Sequence, residues 1–233
     1  MSSNYRRCLQ PLLLLVLALS SGSCAHRGRT LLLTGRSAEH AEKFHLVDVR
    51  KEIRGIDIDL RYATANNVAG HPLYPADMPC LLRSETAAKL KQAQAILRAQ
   101  GYGLRIWDAY RPPEAQEILH QASGKSRMFL APDAGWSRHC GGIALDLTLV
   151  DKHGHEQRMP TGFDQDLAHS QTNYQGSDPV VRRNLQVLQA AMKQAGFIQL
   201  EAEWWHFDDA AYLRNPQPII YGWELALPVM SPP

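Results

Sequence analysis

Residues 143–150 read Ile-Ala-Leu-Asp-Leu-Thr-Leu-Val, with a large aliphatic side chain at every second position as far as 149. Successive side chains of a β-strand point to opposite faces of a sheet, so this alternation places an unbroken apolar surface on one face. The opposite face carries Asp146. A buried carboxylate is costly unless it is paired, hydrogen-bonded or bound to a metal ion. The stretch therefore predicts a buried central strand with a polar site at Asp146.

Strand and helix patterns are interleaved along the chain on either side of this segment. Alternating or short apolar runs predict strands over 56–62, 104–108 and 197–207. Helical periodicity, with Ser, Pro or Asp at the start or Gly at the end, predicts helices over 84–101, 112–121 and 178–196. Several connections are too short for a parallel crossover between strands. We therefore expect a single α+β domain in which helices flank a mostly antiparallel central sheet, with the polar site at the sheet.

The first 24 residues have the organisation of an export signal. Arg6 and Arg7 are followed by an apolar run over 12–19 and then by small residues before Cys24. This run is shorter than the roughly 20 residues that a membrane-spanning helix needs. Cys24 predicts either lipid attachment, as in bacterial lipoproteins, or cleavage by ordinary signal peptidase. Either route predicts an exported protein, in the periplasm or attached to the outer membrane through Cys24.

The rest of the chain is expected to consist of a tether and one domain. Residues 25–44 are polar and charged without clear periodicity, which predicts a tether, and residues 45–233 are long enough to bury a real core. The chain has 25 Lys and Arg against 23 Asp and Glu, and two of the arginines lie in the signal segment, so the exported part is close to neutral. A neutral chain lacks the basic surface that binds nucleic acid. We therefore expect a small zwitterionic or uncharged partner and no nucleic acid.

Cys80 and Cys140 are the two cysteines beyond the signal segment. An even number in an oxidising compartment permits a disulfide, and two buried free thiols are the alternative. Cys140 is not expected to bind a metal, because thiolate ligands suit closed structural zinc sites rather than open catalytic ones.

Two histidines are placed so that they could join Asp146 at a metal ion. His139 precedes Asp146 by seven residues, and the glycines at 141 and 142 permit a tight turn that returns the imidazole to the carboxylate. His206 follows Glu203 in an aromatic segment. Residues three apart in a regular strand face opposite ways, so we expect a bulge or the end of a strand to aim both into one pocket.

These residue types suit hydrolysis at a zinc ion. Two histidines and an aspartate give zinc three ligands and leave a fourth position for water, whose pKa zinc lowers to about 7. Glu203 could take the proton of that water. Arg111, on a predicted strand-to-helix turn, could stabilise the negative charge that develops on the substrate oxygen.

Four motifs, in this order, resemble the zinc D-alanyl-D-alanine dipeptidases. They are Arg-Tyr-Ala-Thr-x-x-Asn at 61–67, Asp-x-Tyr-Arg-Pro at 108–112, Ser-x-His-x-x-Gly-x-Ala-x-Asp at 137–146 and Glu-Trp-Trp-His at 203–206. The resemblance implies one zinc ion per chain, with His139, Asp146 and His206 as its ligands. It also implies that Glu203 is the general base on the zinc-bound water and that Arg111 stabilises the oxyanion.

The resemblance further implies the substrate-binding residues and the reaction. Asp164 would hold the substrate ammonium, and Ser137 would assist substrate binding. The implied activity is hydrolysis of the D-alanyl-D-alanine dipeptide to two D-alanines, which outside the cytoplasm would serve salvage or cell-wall turnover.

Two other functions stay open from the sequence. A zinc D,D-carboxypeptidase or endopeptidase acting on peptidoglycan stem peptides would use similar ligands but an open cleft. Asp164 and the loop over 61–70 favour a closed pocket that pairs both ends of a short substrate. A non-catalytic, zinc-supported binding module would lack the base and the arginine, and both Glu203 and Arg111 are present.

Overall fold

The fold is built on a five-stranded sheet, seen in a computed structural model that describes residues 36–124 and 128–227. The strands are β1 (Leu46–Asp48), β2 (Asp57–Ile58), β3 (Leu81–Arg83), β4 (Tyr102–Asp108), β5 (Ala144–Asp151), β6 (Phe197–Gln199) and β7 (His206–Asp209). The large sheet has the order β2-β4-β5-β7-β6, and only its β2–β4 pair is parallel. β1 and β3 form a separate antiparallel pair. The predicted α+β class with a mostly antiparallel sheet is confirmed.

β5 is the centre of the core, as the alternation in its sequence predicts. Leu145, Leu147 and Leu149 are fully buried on one face, while Asp146 and Thr148 are buried on the other. The strand lies between β4 and β7, with antiparallel neighbours on both sides. Asp146 is therefore held on a rigid, fully paired strand.

Helices pack around the sheet in the described residues. They are α1 (Arg36–Lys43), α2 (Val49–Glu52), α3 (Ser84–Arg98), α4 (Pro113–Ser123) and α5 (Pro179–Gln194). The three long helices begin close to the predicted residues. At the start of α5 the Asp178 carboxylate accepts hydrogen bonds from the amides of Val180 and Val181, which satisfies two otherwise unpaired donors. No helix in the described ranges is long and apolar enough to cross a membrane.

Two predicted strands are shorter than expected. Of the segment 56–62 only Asp57–Ile58 pairs in the sheet, because the carbonyl of Tyr62 instead accepts hydrogen bonds from the amides of Leu73 and Tyr74. The segment 197–207 is divided into β6 and β7, which form a hairpin. Its loop holds Glu203, whose amide donates to the Leu200 carbonyl.

The predicted tether over 25–44 is partly wrong, since α1 occupies most of its second half. Ala41 is buried in the core cluster, and the His40 ring nitrogen Nδ1 lies 2.5 Å from the Glu224 carbonyl oxygen. Its buried apolar residue, Ala41, is small, so the sequence of α1 lacks the bulky apolar stripe by which helices are recognised. The predicted signal segment 1–24, with Cys24, lies outside the described residues.

Cys80 and Cys140 are both buried free thiols. Burial raises the pKa of Cys140 to about 12, and it also raises the pKa of Cys80. Of the two alternatives left by the sequence, the structure has the free thiols.

Candidate active site

His139, Asp146 and His206 come together in a buried cluster at one edge of β5 and β7. Asp146 and His206 are direct partners across the two strands, and His139 lies on a 3-10 turn, Arg138–Gly141, that precedes β5. The His206 Nδ1 atom lies 3.1 Å from Asp146 Oδ1 and 3.2 Å from His139 Nε2. His139 Nε2 lies 3.4 Å from Asp146 Oδ1. The three residues predicted as metal ligands therefore point their donor atoms at one place.

Hydrogen bonds on the far side of each ring fix which nitrogen faces the cluster. His139 Nδ1 lies 2.7 Å from the Ala109 carbonyl, which can only accept, so this nitrogen carries the proton. His206 Nε2 lies 3.1 Å from the Asp208 carboxylate and donates to it. The lone pairs of His139 Nε2 and His206 Nδ1 are thus left to face Asp146. This is the ligand arrangement that supports zinc in proteins, so the residues fit the ion.

Charge in the cluster also favours a cation. Burial alone lowers the pKa of His206, but hydrogen bonds to Asp146 and Asp208 outweigh it and raise the pKa to about 10. Burial likewise opposes ionisation of Asp146, yet the neighbouring histidines hold its pKa below the usual range. The carboxylates thus stabilise positive charge at the point where the ring nitrogens converge. A divalent metal ion held by these residues would supply that charge.

Arg111 is buried next to the cluster and is held by three side chains. Its Nε donates to Asp108 at 2.8 Å, Nη1 to Gln116 at 2.7 Å and Nη2 to Asp146 Oδ2 at 3.2 Å. The guanidinium carbon lies 4.8 Å from the centre of the Tyr62 ring. Because the bond from Arg111 occupies Oδ2 of Asp146, it leaves Oδ1 facing the histidines. The arginine therefore orients a predicted metal ligand as well as lining the cavity.

The cluster opens into a cavity of about 270 Å³. Glu203 lines this cavity from the β6–β7 loop, three residues before His206 at the start of β7. Because β7 begins only at His206, the backbone from Glu203 to His206 is not a regular strand, and the side chains of both residues reach one pocket. Burial raises the pKa of the Glu203 carboxyl above its ordinary value. A raised pKa suits a group that has to accept and then release a proton.

Asp164 also lines the cavity, from a loop after β5. Its backbone is in the left-handed region, with φ of 54°, and its Oδ2 accepts a hydrogen bond of 2.9 Å from the Tyr62 hydroxyl. Burial, followed by the charge of Asp146, raises the pKa of Asp164 to about 8. A bound cation would favour the ionised form, so the position suits an ammonium group.

Ser137 lines the same cavity, and its hydroxyl caps the 3-10 turn that carries His139. The Ser137 Oγ accepts a hydrogen bond of 3.3 Å from the His139 amide. Of the 61–70 loop only Tyr62 reaches this cavity. Arg61 and Asn66 line a second cavity of about 150 Å³, so most of the loop does not close the pocket as the sequence suggested.

Several residues of the site were not predicted from the sequence. Gln116 and Asp108 hold Arg111, Asp208 holds His206, and Arg138 makes an ion pair with Asp208. Asp208 lies two residues after the predicted ligand His206 on β7. That spacing is a usable signal, because alternate residues of a strand share a face. Asp108 ends β4 three residues before Arg111, so the same rule does not place it. No comparable signal marks Gln116 or Arg138.

The sequence matches the D-Ala-D-Ala dipeptidase family over residues 42–220. The D-alanyl-D-alanine dipeptidase of Escherichia coli (strain K12) is 36% identical over 163 residues, which are 70% of this chain and 83% of that protein. The D-alanyl-D-alanine dipeptidase of Enterococcus faecium is 28% identical over 176 residues, 66% of this chain and 86% of that protein. A solved structure of the LdcB LD-carboxypeptidase is 17% identical, with a TM-score of 0.36 over 68% of this chain and 82% of that one.

Proposed function

This chain belongs to the D-Ala-D-Ala dipeptidase family, a family of zinc peptidases, and from that premise we propose that it hydrolyses D-alanyl-D-alanine to two molecules of D-alanine. The observation that carries the proposal is the convergence of His139 Nε2, His206 Nδ1 and Asp146 Oδ1 beside Glu203 in one small cavity. The name of the Escherichia coli relative, at 36% identity, supports the same substrate.

The chain's own residues can perform each proton transfer of the reaction. His139, Asp146 and His206 would hold the zinc ion, which when bound would lower the pKa of water to about 7 and polarise the scissile carbonyl. The Glu203 carboxylate takes a proton from the attacking water and delivers it to the nitrogen of the departing D-alanine. A guanidinium has five N–H donors, so Arg111, with three nitrogens already bonded, keeps N–H groups for the oxygen that gains negative charge.

The volume and the lining of the cavity favour a short substrate. Its 270 Å³ lies below the roughly 300–1,000 Å³ that sites for drug-sized molecules occupy. Asp164 offers a carboxylate to the substrate ammonium, and apolar walls from Phe129, Leu130 and Trp136 can contact the methyl groups. A dipeptide fits these features better than a peptidoglycan stem peptide does.

The test is release of D-alanine from D-Ala-D-Ala by the purified chain, with added zinc and with a chelator. A stem pentapeptide ending in D-Ala-D-Ala runs in parallel. We expect chelator-sensitive cleavage of the dipeptide and little cleavage of the pentapeptide. Comparable cleavage of the pentapeptide would make the protein a carboxypeptidase, and cleavage of neither would leave a zinc-supported binding module.

We also propose that the protein acts outside the cytoplasm. The support is the sequence of residues 1–24, with its charged start, apolar run and small residues before Cys24. Expression of the full chain followed by cell fractionation tests export. A Cys24→Ala variant separates the two routes, because lipid attachment requires the cysteine and ordinary cleavage does not. Recovery of the full chain, uncleaved, in the cytoplasm would refute the proposal.

A further inference from the structure

A dipeptide brings a carboxylate into a cavity that is already rich in carboxylates. Four of the described lining residues are acidic: Asp146, Asp164, Glu203 and Asp208. A buried carboxylate without a partner is very costly, so the carboxyl terminus of the substrate needs a cationic group. Among the described lining residues the guanidinium groups are those of Arg111 and Arg138.

Arg111 is poorly placed for this second task. All three of its nitrogens already donate to Asp108, Gln116 and Asp146, and its side chain is only 4% exposed. Its remaining N–H groups are those that the proposed mechanism assigns to the charge developing on the scissile carbonyl. A residue that held the carboxylate as well would have to bond two separate oxygen groups of one small substrate.

Arg138 has the free donors that the carboxylate needs. Its side chain is 43% exposed and lines the cavity, with Nη1 paired to the Asp208 carboxylate. Within the described residues its Nε and Nη2 make no hydrogen bond. An arginine presents its donors as a planar fork that matches the two oxygens of a carboxylate. Arg138 can therefore accept a second carboxylate without giving up Asp208.

The location of Arg138 fits the length of the substrate. In a dipeptide only the amide nitrogen and one α-carbon separate the carboxylate from the scissile carbonyl carbon, so the carboxylate must bind close to the metal ligands. Arg138 directly precedes His139 in the chain, and its partner Asp208 accepts a hydrogen bond from His206. The guanidinium thus borders the ligand cluster.

We propose that Arg138 binds the terminal carboxylate of the substrate and makes the enzyme selective for a free carboxyl terminus. The inference rests on the proposed dipeptidase function and names the residue that recognises the end of its substrate.

The test compares D-Ala-D-Ala with its C-terminal amide, which lacks the negative charge. The wild-type protein should cleave the acid with a higher kcat/KM than the amide. Arg138→Ala should lower kcat/KM for the acid by about 10- to 100-fold, which is the range expected for loss of a charge-assisted hydrogen bond. The same variant should change kcat/KM for the amide by less than about threefold. Arg138→Lys should restore part of the preference, because a lysine keeps the charge but not the fork.

A second variant separates recognition from support of the metal site. Asp208→Asn weakens the contact to His206 and turns the ion pair with Arg138 into a neutral hydrogen bond, but it retains the guanidinium itself, so it should lower kcat/KM for acid and amide by similar factors. If Arg138→Ala also lowers kcat/KM for the acid and the amide by equal factors, the role of Arg138 is structural and the inference is wrong. If the wild-type protein cleaves neither substrate, the dipeptidase function fails first, and the inference with it.

Discussion

Asp208 shows how residues outside the metal cluster determine what the cluster can do. Its carboxylate accepts from His206 Nε2 with one oxygen and contacts Arg138 with the other. The bond to His206 turns the Nδ1 lone pair toward Asp146, and the carbonyl of Ala109 does the same for His139. Such partners set ring orientation and tautomer, and losing one typically costs 10- to 100-fold in metal affinity or activity.

Glu203→Gln should greatly lower turnover while leaving the metal in place. The amide keeps the size of the side chain but cannot take the proton from water, so kcat should fall by about 10²- to 10⁴-fold. Zinc content, measured on the same sample, should equal that of the wild-type protein. The matched control is Glu201→Gln, an exposed residue of the same loop, which should keep full activity. Near-normal kcat in Glu203→Gln would remove Glu203 from the role of base.

Arg111→Lys should lower kcat more than it raises KM. A lysine keeps the positive charge but cannot bond Asp108, Gln116 and the substrate oxygen together, so transition-state stabilisation is lost first. We expect a fall in kcat of about 100-fold, as for loss of one oxyanion donor. Arg105→Lys, at an ion-paired arginine of β4 that does not line the cavity, serves as the control. A change confined to KM would instead make Arg111 a substrate-binding residue.

At the scale of elements, the turn before β5 brings His139 back to the sheet. Gly142 ends the 3-10 turn with φ of 68°, a conformation that other residues adopt at a cost. A side chain at this position would also place its Cβ 2.7 Å from Leu46 Cδ2. The glycine is therefore required both by the backbone and by the packing of β1 against the turn.

Gly142→Ala should destabilise the fold and weaken zinc binding together. We expect a loss of about 2–4 kcal/mol in the free energy of unfolding, combining the left-handed backbone with overpacking against Leu46. Gly154→Ala is the matched control, since it has φ of 86° but open space around it, and should cost only about 1–2 kcal/mol. Chemical denaturation and zinc titration measure both effects. Equal losses in the two variants would show that the contact with Leu46 is unimportant.

The sequence predicted some elements well and others poorly, for physical reasons. β5 and α5 were found because one packing surface dominates each, so their apolar residues recur with the period of a strand or a helix. The segment 197–207 carries aromatic residues that pack in several directions around a loop, and its pattern was read as one strand. α1 was missed because its buried apolar residue is the small Ala41.

At the scale of the whole molecule, the metal site joins parts of the chain that are far apart in sequence. His139 comes from the turn before β5, Asp146 from β5 and His206 from β7 at the other side of the hairpin loop. An ion bound to all three ties these segments together only in the folded state. Binding that favours the folded state raises its stability by mass action.

Removal of zinc should therefore lower the melting temperature. At a zinc concentration about 100 times Kd the stabilisation is about 2.7 kcal/mol, which corresponds to roughly 5–10 °C for a domain of this size. Scanning calorimetry with zinc and with chelator measures the difference. The His206→Ala variant should show little difference in melting temperature between zinc and chelator. A melting temperature that chelator leaves unchanged in the wild-type protein would contradict a stoichiometric zinc site.

The sequence indicated the chemistry of the site more fully than its shape. His139, Asp146 and His206 were named from residue types and motif spacing, and the structure brings them together. The cavity could not be foreseen in the same way, because Gln116, Arg138 and Tyr62 reach it from separate elements through tertiary packing. Their contributions depend on distances between segments, which a pattern along one chain does not contain.

The distribution of tryptophans has a consequence for spectroscopy. Trp107, Trp204 and Trp205 are buried in contact with one another or with Phe163, at ring separations of 5.2–5.8 Å, while Trp223 is 70% exposed. The buried rings should emit at short wavelength and resist quenching by iodide, whereas Trp223 should emit at longer wavelength and be quenched readily. Trp136, half-buried in the cavity wall, should fall between these two groups. Intrinsic fluorescence thus distinguishes the core beside the site from the surface without any added label.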